Sequence, residues 1–183
     1  MTSATIQLTN PADGSAELLS VTISDSKITS TYIGGILQLT GDAPIAAYQE
    51  ALRTVAYRNT SRDPDPVDRI INWSIFDGKA SSTTISMVVK VQPVNDPPEL
   101  DLDGIGPNLD FDAIFYINRG PVPIVAPSLV LIDHDNTTIK SATIRITNPN
   151  DGSAELLSAD TTGTSNITGS YDPATGLLSL TGA

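Results

Sequence analysis

The chain of 183 residues contains no cysteine, a single histidine and a single tryptophan, and its 10 basic side chains face 21 acidic ones. Without cysteine no disulfide holds the fold together, and thiolate metal sites are excluded. The lone histidine, His134, sits between Asp133 and Asp135, which argues against a Ser-His-Asp hydrolytic site. The net charge of −11 disfavours nucleic acid and anionic membrane as partners. No apolar run approaches the roughly 17–25 residues that a membrane-spanning helix needs. Gly-rich phosphate loops and aromatic-basic stripes are also lacking. The paired carboxylates Asp63 and Asp65, or Asp101 and Asp103, lie among turn formers, with no apolar surroundings to split their pKa values into acid and base. A non-enzymatic chain is expected.

What the chain does contain is itself, twice. Residues 3–20 read SATIQLTNPADGSAELLS and residues 141–158 read SATIRITNPNDGSAELLS, so 15 of 18 positions match at an offset of 138. Residues 28–43 (ITSTYIGGILQLTGDA) recur more loosely as residues 167–183 (ITGSYDPATGLLSLTGA), with two extra residues in the turn. A period of 138 is domain-sized, well beyond the roughly 20–50 residues of a helical solenoid. The chain reads as a window on a tandem array. Residues 1–98 correspond to a unit without its opening strands, and residues 99–183 to the next unit without its end. Free apolar edges are then expected, completed by contacts between chains.

Local pattern implies an almost entirely β chain. Strands are expected at residues 4–9, 16–23, 28–32, 36–40, 53–58, 69–77 and 83–91, the last being the longest clean run, with period-two alternation that puts one face inward. Residues 46–52 (AAYQEAL) are the only helix-like piece, good for one or two turns. Residues 59–68 (NTSRDPDPVD) form a loop, because proline lacks an N–H donor. Residues 92–98 (QPVNDPP) are a stiff extended connector and the expected domain boundary. Beyond it, edge strands are expected at residues 115–117 and 122–125, and an apolar strand at 129–132 leads into Asp133. Together these predict a β-sandwich. Trp73, Phe76, Tyr48 and Tyr57 are assigned to its core.

Seventeen of the 21 acids are aspartates. Five of them lie within residues 96–112. Asn95 and Asp96 on the connector, with Asp133 and Asp135 at the end of an apolar strand, supply hard oxygen ligands from two places that a sandwich can bring to one pole. Alternate aspartates converge on a calcium ion when the backbone bends round it. The competing assignment for Asp133 and Asp135 is a turn with Asx caps.

The ordered strings YQEALRTVAYRNTS (48–61), RIINWSIFDGKAS (69–81) and VVKVQPVNDPP (88–98), with ITGSYDPATGLLSLTG (167–182), resemble the cadherin-like tandem repeats of large bacterial surface adhesins, which are related to repeats of the chondroitin-sulfate-proteoglycan and dystroglycan type. The resemblance covers essentially the whole chain. It implies an all-β, immunoglobulin-like or cadherin-like sandwich cut out of register, with calcium at domain junctions and a structural or adhesive role outside the cell. Residue by residue, Asn95 and Asp96 match the linker ligands, Asp133 and Asp135 the paired aspartates of the following domain, and Asp77 the Asp-Gly before the last strand. Arg119-Gly120 stands where related repeats carry Glu-Gly, which weakens a ligand there. Implied partners are neighbouring repeats or another copy of the chain, surface glycans and other adhesins. The alternative is a carbohydrate-binding module of an extracellular enzyme or matrix protein, for which a shallow groove of exposed aromatics would be the sign.

Overall fold

Alternation in the first copy of the repeat places Ala4, Ile6 and Leu8 on one side of strand β1 (Ser3–Leu8), and all three are buried. Around β1 the computed structural model, which describes residues 1–163 and 166–182, adds β2 (Glu17–Ser20), β3 (Thr29–Ile33), β4 (Ile36–Thr40), helix α1 (Ile45–Arg53), β5 (Ala56–Asn59), β6 (Arg69–Phe76) and β7 (Ile85–Val89). The sheet order is β3-β4-β1-β6-β7, every pairing antiparallel, and β2 pairs separately with β5. Ile6 lies opposite Leu37 on one side and Trp73 on the other. Leu19, Leu37, Leu39 and Ile71 close the core with it. Gly41, at φ +144°, passes so near the neighbouring loop that a Cβ there would stand 1.8 Å from the Lys27 carbonyl oxygen.

The expected all-β, immunoglobulin-like or cadherin-like sandwich is not what forms. Residues 45–53 make a nine-residue helix that belongs to the core. Pro44 precedes its first turn, where a missing N–H costs nothing. Tyr48 is wholly buried and Ala51 nearly so, and the Tyr48 hydroxyl donates to the Gly41 carbonyl at 2.8 Å. Burial of this one face stabilises a helix too short to stand alone in water. Thr54 ends it, its hydroxyl donating to Ala51 O at 2.7 Å. Arg53 therefore belongs to the helix, and the strand expected at 53–58 begins only at Ala56.

The chain divides between Asn95 and Asp96, inside the proline-rich stretch, into units Met1–Asn95 and Asp96–Ala183. The second unit holds β8 (Glu99–Asp101), β9 (Val130–Ile132), β10 (Ser141–Arg145), β11 (Ile167–Asp172) and β12 (Leu177–Gly182). Its sheet order β10-β12-β11 reproduces β1-β4-β3, and Ile144 faces Leu178 as Ile6 faces Leu37. Tyr171 opposite Leu178 repeats Tyr32 opposite Leu37, so the extra turn residues leave the register unchanged. Ala183, the last residue of the second copy, lies outside the described residues.

Two sets of expected strands differ. Residues 115–117 and 122–125 pair with nothing among the described residues and stay irregular around Asn118, whose φ is +67°. The run 83–91 gives only the five residues of β7, at the sheet edge, while β6 with eight is the longest strand. A strand is held by its neighbours, and an apolar run with none remains loop.

Candidate functional site

Antiparallel pairing of β8 with β9 sets Glu99 opposite Ile132, and continuing the same count outward places Asp96 across from Asp135. The Asp96 N–H donates to Asp135 Oδ2 at 2.8 Å. Asp133 begins a tight turn in which its Oδ1 accepts the Asp135 N–H at 3.3 Å and the Asn136 N–H at 3.0 Å. The Asn136 amide donates to Asp133 Oδ1 at 3.3 Å and to Asp135 Oδ1 at 2.8 Å. Desolvation pushes the Asp133 carboxyl up, but hydrogen bonds from the Asn136 amide and from the Asp135 and Asn136 N–H groups help to hold its pKa below the usual value. His134 Nε2 stands 3.9 Å from Glu99 Oε2.

The Asp96 N–H, Asp133 and Asp135 thus come together in the second unit, the Asp133 and Asp135 carboxylates accepting N–H groups in an Asx-type turn. Among the described residues, no three His, Cys, Asp or Glu side chains form a group that could hold a metal ion. Asn95 closes the first unit. Asp77 also belongs to the first unit, where its Oδ1 accepts the Lys79 and Ala80 N–H groups, each at 2.7 Å. These bonds hold its pKa below the ordinary value and give it a complete role as a turn former.

A second constellation escaped the sequence. Arg69, at the start of β6, is fully buried. Its Nε lies 3.0 and 2.9 Å from the two Glu17 carboxylate oxygens. Its Nη2 donates to Asp13 Oδ2 at 2.6 Å, and its Nη1 donates to the Asp65 carbonyl at 3.1 Å and to the Val67 carbonyl. The loop 59–68 thus wraps the guanidinium. Tyr57 donates to Glu17 Oε2 at 2.8 Å, Asn59 Nδ2 to Asp13 Oδ2 at 2.6 Å, and the Asp13 N–H to Glu17 Oε1 at 2.6 Å. Burial raises the Glu17 carboxyl, but Arg69, the Asp13 amide and Tyr57 outweigh it and leave its pKa below the usual value. Burial, then the Glu17 hydrogen bond and charge, push the Tyr57 phenol up to about 12. Among the described residues, no buried side-chain polar atom lacks a partner. The signal in the sequence was duplication: Asp13-Gly-Ser-Ala-Glu17 recurs unchanged as residues 151–155.

The second copy keeps half of this arrangement. Asp151 and Asp13 share the same backbone angles, φ −98° and −99°, before the same three-residue 3-10 turn. The Asp151 N–H donates to Glu155 Oε1 at 2.9 Å, as Asp13 does to Glu17. The Tyr171 hydroxyl donates to the Glu155 carbonyl at 3.1 Å, as Tyr32 does to Glu17. Among the described residues, neither Asp151 nor Glu155 has a cationic partner.

Elsewhere, Trp73 and Tyr57 are half-buried and pack against the core. The second unit has a shallow cleft of ≈ 610 Å³ lined by Phe111, Ile114, Tyr116 and Val122 among others. No helix of the described residues is long and apolar enough to cross a membrane. Comparison with protein-family models, with curated proteins and with solved structures finds no match to this chain.

Proposed function

We propose that this chain is a non-catalytic segment of a tandem array displayed outside the cell, where cadherin-like repeats carry a structural or adhesive role. The observation that supports this reading is the duplicated module: sequences 138 residues apart fold into the same strand order, the same register and the same 3-10 turn. Duplication of a whole domain-sized unit extends a chain without adding chemistry. Half-burial of Trp73 and Tyr57 against the core favours an array over an aromatic sugar platform.

Calcium is the proposed stiffener, at Asp96, Asp133 and Asp135 of the second unit. Their oxygens are hard donors, and rotation of the two carboxylates away from the N–H groups that now hold them would turn them toward one ion. Titration calorimetry with calcium, and thermal melts with and without a chelator, test this. Expected are a binding heat and a midpoint raised by calcium, both lost in Asp135→Asn. Superimposable melts with no heat would remove calcium from the reading. The second reading, a carbohydrate-binding module, is favoured by the shallow cleft at Phe111 and Tyr116. Polysaccharide binding abolished by Tyr116→Ala would replace the array reading with it.

A further inference from the structure

Proline follows aspartate at four places in the chain, residues 63–64, 65–66, 96–97 and 172–173. The Asp-Pro bond is intrinsically acid-labile. The side-chain carboxyl can close a small ring on its own carbonyl carbon, an intramolecular attack that costs little entropy, and the tertiary proline nitrogen leaves once it takes up a proton.

Folding treats these bonds differently. At Asp65 the carboxyl is folded back along its own chain, Oδ1 accepting the Val67 N–H at 2.8 Å, so that it spans the Asp65–Pro66 bond. The Asp65 N–H is fixed on Asp13 Oδ1 at 3.0 Å. The Asp65 carbonyl oxygen, on which charge develops when the ring closes, accepts from Arg69 Nη1 at 3.1 Å. That guanidinium, which also reaches the Val67 carbonyl, is fully buried and held by Glu17 and Asp13. Asp65 itself is exposed, so water reaches the bond. Nucleophile, oxyanion donor and water meet at one peptide bond. The Asp172 carboxyl makes a similar turn, but its donors are the Ala174 N–H at 2.9 Å and the Thr175 hydroxyl at 2.7 Å, both neutral. The Asp63 carbonyl accepts from the neutral Ser61 hydroxyl at 2.8 Å.

We propose that the first unit cleaves its own Asp65–Pro66 bond, with the Asp65 carboxyl as nucleophile and Arg69 as oxyanion donor. In its acid form the carboxyl adds through one oxygen to the Asp65 carbonyl carbon, and its proton passes to the Pro66 nitrogen as the C–N bond breaks. Residue 65 is left as a cyclic anhydride and Pro66 as a new N-terminal amine. One water opens the anhydride, restoring the side-chain carboxyl beside a new α-carboxyl. The sum is hydrolysis of one peptide bond by one water, with nothing oxidised or reduced. Arg69 Nη1 holds the negative oxygen of the tetrahedral intermediate. The charged and titratable groups around the bond are Asp13, Glu17 and Tyr57, which surround Arg69, and Asp63 and Asp68 on the loop itself. Burial raises the Asp13 and Glu17 carboxyls, but hydrogen bonds and the Arg69 charge leave both pKa values below the usual ones, so the clasp on Arg69 persists in mild acid. The rate therefore rises as pH falls and drops to that of the unfolded chain once the clasp opens. The event happens once per molecule, so the chain stays non-catalytic toward anything else. After the cut, the pairing of β6 with β1 and the ion pairs from Arg69 to Asp13 and Glu17 still bridge the two pieces. A covalent link along the chain becomes a non-covalent one. The proposal does not depend on calcium.

The test is incubation of the full chain from mildly acidic to neutral pH, with intact-mass spectrometry following fragments 1–65 and 66–183 and Trp73 fluorescence confirming the fold. Cleavage at Asp65–Pro66 is expected to be at least about 10-fold faster than at Asp63–Pro64 or Asp172–Pro173 in the same molecules. That is below the ~100- to 1,000-fold that one oxyanion donor supplies in a water-excluded active site, because Asp65 is exposed. In urea the advantage disappears. Asp65→Ala, which keeps both the carbonyl and Arg69, abolishes the cut. Arg69→Met combined with Glu17→Met, which keeps the nucleophile, lowers the rate to that of Asp172–Pro173. Equal rates at the three bonds in the folded chain, or an Asp65–Pro66 bond more durable folded than in urea, would overturn the proposal. So would cleavage of Asp65→Ala at the parental rate, or an unchanged rate in the folded double variant.

Discussion

Removing Arg69 is the sharpest perturbation the first unit offers. The guanidinium has no exposed surface, nor does Glu17, and Asp13 is 11 % exposed. Arg69→Ala therefore leaves two carboxylates facing one another with little water, and also strands the carbonyls of Asp65 and Val67. Breaking a buried pair by removing one partner costs about 3–5 kcal/mol. For a unit of this size, whose whole stability is on the order of 5–15 kcal/mol, that is a large fraction. Each 1 kcal/mol lowers the melting midpoint of such a domain by about 4–8 °C, so a fall of at least roughly 12 °C is expected. The only tryptophan, Trp73, lies in β6 against the core, so its fluorescence reports this unit's unfolding in urea or on heating. The pH dependence has a definite sign. Both carboxyl pKa values are lowered in the fold, so the stability they contribute is present above their unfolded values, about 3.9 for Asp and 4.3 for Glu. It is lost as pH falls through the lower folded values, and Arg69→Ala flattens this acid limb. Arg69→Met combined with Glu17→Met recovers part of the loss, because replacing both partners by apolar groups leaves less charge unpaired. An Arg69→Ala variant within about 1 kcal/mol of the parent, or a double variant as unstable as the single, would refute the account.

Gly41→Ala must move either its own strand end or the Lys27 backbone, because the new Cβ meets a carbonyl oxygen rather than a flexible side chain; a loss of about 2 kcal/mol or more is expected in urea unfolding, and a neutral result would refute the close approach. The Tyr57 phenol, raised to about 12, contributes stability that is intact below its unfolded value of about 10 and lost as pH rises toward the folded one. Near-ultraviolet titration should find one late-ionising tyrosine fewer in Tyr57→Phe, and an unchanged curve would refute the burial argument.

The sequence by itself determined the duplication, and with it the shared architecture of residues 3–43 and 141–182, because two nearly identical alternating patterns bury their apolar faces in only one register. The contact of Asp96 with Asp135 was decided by tertiary structure: the pairing of residues 99–101 with 130–132 brings their flanks together. The fold class was not legible. Residues 46–52 are too short to declare a helix by propensity, and only burial of Tyr48 and Ala51 beneath the sheet extends them to nine helical residues and makes the first unit something other than an all-β sandwich. Tertiary structure likewise decided which apolar runs became strands: residues 115–117 read like a strand, but no neighbour offers them a ladder. The same holds for the ionic cluster. Arg69 lies 52 residues from Glu17 and 56 from Asp13, and no local pattern links them. The pairing of β6 with β1 and the wrap of the 59–68 loop bring the three charges out of water together, where each is tolerated only because the others are there.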